Sequence, residues 1–333
     1  SQIIFIIVQI SQSTLTLIPI AILYYDPSIL ALTVAAILKI QAISGFMILV
    51  TLVIKYRHYL FHKYDSNIIR EVLLFGLPFV PMVLCYWLNT YADKYIILNF
   101  DTKINLGIYS FSMSIVGIIL ILKDTVSKAW NPYIYKVLNE DIEKSKELIT
   151  TFSSIMLYAF SFIYIILVLF FSEIAYLIGG DKYVNSGALI AITGTLGISM
   201  SMPQFVMLGL YLKQKTRFVL RYMLYAFCFN AIVGVLLIQF LSIYGVALAT
   251  VGASILFLYC VNKKSQSLFH VKYDHKKNII IISSVILVII LYFMIDFNRY
   301  ALILIYLILN INICKELVNL VLDSKKNPSD LVS

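Results

Sequence analysis

The chain of 333 residues is 61% hydrophobic and 13% charged, with a net charge of +9. Its mean hydropathy of +0.92 excludes a soluble domain, and with it the nucleic-acid partner that a basic soluble protein would suggest. Long continuous apolar runs, rather than short alternating ones, exclude a β-barrel and predict an all-α, polytopic helical membrane protein.

Ten runs of about 20 residues or more have the length to cross a roughly 30 Å hydrocarbon core. They cover 3–25, 29–54, 71–100, 104–135, 149–171, 184–212, 215–240, 243–262, 278–295 and 298–319. The first two carry Gln9, Gln12, Lys39 and Gln41. Lys39 lies about 15 Å from the outer end of its run, too deep to snorkel fully. It therefore either meets a partner on another helix or faces a cavity.

The third run opens on LPFVP at 77–81 and carries Asn89, Asp93 and Lys94 towards its end. Asp93 and Lys94 read either as an interfacial charge pair or, if the kinked helix tilts, as cavity residues. The fourth holds Lys123, Asp124, Lys128 and Pro132. The i,i+4 spacing of Asp124 and Lys128, acid first, predicts that these two neutralise each other. Lys123 is then left either to meet an anionic ligand or to snorkel to headgroups. An intramembrane charge is costly, so each is a candidate for function.

Further on come Pro203 and Gln204 in the sixth run and Asn230 in the seventh. The interior amides Asn89, Gln204 and Asn230 can hydrogen-bond a sugar or join helices. Pro78, Pro81, Pro132 and Pro203 are candidate hinges, because proline interrupts the helical ladder and alternating access needs helices that bend. ALTVAA at 31–36 is echoed by ALATVGA at 247–253, a faint internal repeat.

Nineteen of the 26 Lys and Arg residues fall in alternate connections, in clusters at 55–70, 136–146, 213–221, 263–277 and 315–326. The opposite side has only Lys94, Lys103, Lys182 and Arg299. The positive-inside rule makes the first group cytoplasmic, with the beginning of the first run and the 323–333 tail on that side. Entry into apolar sequence straight after Ser1, with no basic n-region or cleavage site, is unlike a signal peptide. It predicts an even number of helices ahead of residue 1.

Cys85, Cys228, Cys260 and Cys314 are widely separated and lie in or at the ends of runs, as small buried hydrophobes do. All four histidines fall in cytoplasmic connections; His58 and His62 have i,i+4 spacing but no third ligand. No GxxxxGK[ST] loop is present. Outer connections are short, with Asp26, Asp101, Glu173, Asp181 and Asp296 scattered among them. The expectation is a protein without a cofactor or metal, and not an enzyme.

LPFVP at 77–81, Asp93-Lys94-Tyr95, GIYS at 107–110 and AWNPYIYK at 129–136 together resemble one family. They look like the start of the second half of oligosaccharide flippases of the polysaccharide biosynthesis family. These flippases belong to the multidrug/oligosaccharidyl-lipid/polysaccharide exporter superfamily. The resemblance implies two six-helix lobes around a central cavity. Residues 1–66 would be the last two helices of the first lobe, with its first four absent. Residues 67–265 would be the second lobe, 266–322 two additional helices and 323–333 a tail. It also implies a secondary transporter that flips an undecaprenyl-pyrophosphate-linked oligosaccharide across the cytoplasmic membrane. Its partners would be that substrate, membrane lipids and the enzymes of polysaccharide assembly. Lys39, Lys123 and Lys128 against Asp124 leave an interior net positive, which suits a diphosphate. A multidrug exporter of the same superfamily is the alternative for which interior acids would speak. An integral-membrane polymerase or glycosyltransferase is a third reading, disfavoured by the short outer loops.

Overall fold

The computed structural model describes residues 79–326, apart from Asn185 and Asp296, and before them residues 39, 42–43, 45–47, 49–55, 57, 66, 70, 73 and 77. The chain divides into two compact units, residues 1–75 and 76–333. The described residues of the first unit are helical, and Lys39 is an exposed member of them. Gln9, Gln12, Gln41 and Pro78 lie outside the described residues, as do the histidine pair, Asp26 and Asp296.

The second unit is a bundle of α-helices, with no strand among the described residues. Its elements are α1 (Phe79–Phe100), α2 (Lys103–Glu140), α3 (Ile142–Leu169), α4 (Phe171–Gly179), α5 (Gly187–Ser201), α6 (Pro203–Val206) and α7 (Leu208–Leu212). They continue with α8 (Thr216–Leu268), α9 (His275–Ile295), α10 (Arg299–Leu309) and α11 (Ile311–Lys326). Among the described residues, five helices are long and apolar enough to cross a membrane, or six if the bent pair α10–α11 counts as one span. α1 has the length of a crossing at 22 residues, but Asn89, Asp93 and Lys94 reduce its apolar character. Large apolar side chains point outward all round, among them Ile121, Leu177, Phe240 and Met294. In water such a surface would associate, whereas in a bilayer it is the lipid-facing side. This is a polytopic helical membrane protein.

Three features shape the expected spans. First, the gap expected between the runs at 215–240 and 243–262 is a sharp reversal at Ser242, whose φ of 50° lies in the left-handed region. The two legs then approach closely, so a Cβ at Gly245 would lie 2.4 Å from the Leu237 carbonyl oxygen. Second, the run at 184–212 is broken into α5, α6 and α7, with Pro203 opening α6 where its missing N–H costs nothing. Third, the run at 298–319 bends by 75° between α10 and α11.

Small residues decide the packing. Gly194 and Gly197 on α5 would each clash if given a side chain, with Tyr164 of α3 at 2.4 Å and with Ile119 of α2 at 2.7 Å. α5 therefore wedges between α2 and α3, as glycine allows in membranes. One core gathers around α3, where the Tyr158 and Tyr306 rings stack with centroids 5.5 Å apart. Another, at the basic end, holds Trp130, Ile149, Phe205 and Val271.

Candidate functional site

The polar residues of α1 separate into two places. Asp93 is buried, only 1% exposed, at the junction of α1, α2 and both legs of α8. It accepts hydrogen bonds from the Tyr109 hydroxyl at 2.6 Å, Asn230 Nδ2 at 2.8 Å and the Thr250 hydroxyl at 2.8 Å. An intramembrane acid is affordable only when its oxygens are satisfied, and three donors from three helical segments do this. Neither the interfacial pair nor the cavity position expected for Asp93 is correct. Lys94 does not pair with it but lies over the Tyr91 ring, 5.1 Å from the centroid.

The second place is a cavity of about 200 Å³ between α1, α2, α5–α6 and both legs of α8. Leu120, Met200, Met207, Val219, Met223 and Phe257 make most of its wall apolar. Asn89, Ser199, Ser254 and Lys123 are its polar residues, with Tyr86, Cys85, Pro203, Ala226 and Ala253 completing the lining. The Ser199 and Ser254 hydroxyls hydrogen-bond each other at 2.7 Å, joining α5 to the second leg of α8. Asn89 links the two places, since its Oδ1 accepts from Asn230 Nδ2 at 3.4 Å.

Of the predicted site residues, the cavity unites Asn89, Lys123 and Pro203. It does not include Asp93, Lys94, Asp124, Lys128 or Gln204. The expected Asp124–Lys128 pairing is also incorrect. Asp124 pairs with its neighbour Lys123 at 2.7 Å, while Lys128 is exposed and makes no ion pair among the described residues. The Lys123 side chain is 25% exposed and that of Asp124 62%, so solvent or headgroups screen the acid more than the base. Gln204 sits one residue beyond Pro203; its Oε1 accepts from the Ser127 hydroxyl, and its buried Nε2 has no partner among the described residues. Pro132 lies within the continuous helix α2. Pro81 falls in the first turn of α1, where no intrahelical donor is lost.

Sequence reasoning gave no role to Tyr109, Thr250, Ser199 or Ser254, although Tyr109 lies in GIYS at 107–110 and Thr250 in ALATVGA at 247–253. A single hydroxyl in an apolar run carries little signal of its partners.

A mostly apolar chamber with one ammonium and a few hydroxyl and amide groups suits an amphiphile with a negative head. Among the described residues no group of three or more His, Cys, Asp or Glu is placed to hold a metal ion. No protein-family model, curated protein or solved structure matches this chain.

Proposed function

We propose that this protein is a secondary transporter that moves a lipid-linked, diphosphate-bearing oligosaccharide across the cytoplasmic membrane, with its basic connections on the cytoplasmic side. The observation carrying this reading is Lys123, the charged residue that lines a mostly apolar chamber beside the helix break at Pro203. A cation in such surroundings gains more from a phosphate than it would in water. Asp124, the more exposed partner, pairs with it at 2.7 Å, so a phosphate would compete with that carboxylate for the same ammonium. The motifs in residues 77–136 that resemble oligosaccharide flippases support the same substrate class.

Volume limits what the chamber takes. About 200 Å³ is below the roughly 300–1,000 Å³ of a pocket that encloses a drug-sized ligand, so the chamber suits a headgroup and adjoining chain rather than an oligosaccharide. The sugars would stay outside it or require the wall to open, for which the break between α5 and α6 is the natural place. A transporter of cationic amphiphiles is less well supported, because the buried acid Asp93 is closed off by its three donors and does not line the chamber.

The test is binding of a polyprenyl diphosphate and of the neutral polyprenol to the protein in nanodiscs. Preference for the diphosphate should fall by about tenfold or more in Lys123→Ala and be partly kept in Lys123→Arg, the size of a charge-assisted hydrogen bond. Equal affinity for the two lipids, or an unchanged preference in Lys123→Ala, would refute the reading.

A further inference from the structure

We propose that α11 lies in the plane of the membrane at the basic end of the bundle, docked on anionic lipid headgroups rather than crossing the bilayer. α10 has 11 residues, about 16 Å of helix, only half of a crossing. At Asn310 the chain turns by 75° into α11. Asn310 Nδ2 fixes the turn by donating to Ser284 Oγ and to the Tyr306 carbonyl, both at 2.9 Å.

The depth of that turn can be read from α9. Ser284 lies six residues beyond Asn278, where the apolar part of α9 begins, or about 9 Å along the axis. An interfacial helix sits about 5–10 Å into the headgroup–acyl boundary. Glu316 of α11 is tied to the headgroup end of α9 by its pair with Lys277, seven residues before Ser284, at 2.6 Å.

The described faces of α11 sort accordingly. Ile313 is buried, and Cys314 and Leu317 pack against the core around α3. Ile311 and Val318 are exposed, 49% and 47%, and Lys315 is exposed beside them. Glu316 is engaged within the protein, whereas Lys315 and the nearby Lys276 remain available to phosphate headgroups. A free apolar strip bordered by lysine is the signature of a helix held by an anionic leaflet.

Spin labels placed singly at positions 311, 312, 314, 315 and 318 of the full chain, with the native cysteines otherwise replaced, test this in vesicles with and without phosphatidylglycerol. Labels at 311 and 318 should be oxygen-accessible at one common shallow depth, while 312 and 315 reach an aqueous nickel chelate. Loss of phosphatidylglycerol, or Lys315→Glu, should move 311 and 318 towards water. Depth increasing steadily from 311 to 318 would make α11 a span and overturn the proposal. Nickel access at every position, or neither reagent reaching 311 and 318, would equally overturn it. Indifference to both phosphatidylglycerol and Lys315→Glu would remove the headgroup contact.

Discussion

The Tyr109 hydroxyl donates to Asp93 at 2.6 Å, joining α1 to α2 at a site that water does not reach. With Asn230 and Thr250 as further donors, this carboxylate ties both legs of α8 to the same point. Asp93→Ala should leave the buried Tyr109 hydroxyl unpaired, at about 1–3 kcal/mol, and throw Asn230 and Thr250 back on Asn89 and the Val246 carbonyl. Asp93→Asn should cost less, because one amide oxygen still accepts. Thermal unfolding in detergent should rank wild type above Asn above Ala; an alanine variant as stable as wild type would contradict the assignment.

The close approach at α5 makes a second prediction. Gly194→Val and Gly197→Val should each lower stability by about 1–3 kcal/mol, the usual cost of overpacking, because Tyr164 and Ile119 occupy the space. Gly117, with nothing within 4 Å of an added Cβ, is the control. Gly117→Ala should be neutral or mildly stabilising, since alanine is the better helix former.

Asp101, in the α1–α2 connection, makes the third. Partial burial opposes its ionisation, but hydrogen bonds from Ser242, the Thr102 N–H and Asn105 outweigh this and hold the carboxyl below its usual range. A depressed folded value means that the stabilisation is present at neutral pH and disappears as pH falls through that value. The α8 tip at Ser242 should thus open to hydrogen exchange, corrected for intrinsic rates, only below about pH 4. In Asp101→Asn the tip should be open already at pH 7, with no further opening on acidification.

The helical membrane class was legible because hydrophobicity is summed over about 20 residues and tolerates local exceptions. The gap between runs marks the reversal at Ser242, and Pro203, one of four prolines named as candidate hinges, does stand at a helix break, but nothing marked the bend at Asn310. One proline or asparagine can equally sit in a continuous helix, as Pro132 does. The charged residues were legible as a set and misjudged as pairs. Helical spacing favoured Asp124 with Lys128, whereas a long lysine side chain reached the adjacent carboxylate. Counting along α1 left Asp93 either interfacial or cavity-facing, because the count cannot register that three donors from distant positions converge there.

Transport itself is the most direct test of the central claim. Proteoliposomes loaded on one leaflet with a polyprenyl-diphosphate oligosaccharide should show sugar appearing to a membrane-impermeant lectin on the other. The account predicts protein-dependent appearance that is abolished or strongly reduced by Lys123→Ala, partly retained by Lys123→Arg, and absent for a neutral polyprenyl glycoside. Appearance no faster than in protein-free vesicles, or an undiminished rate in Lys123→Ala, would contradict it.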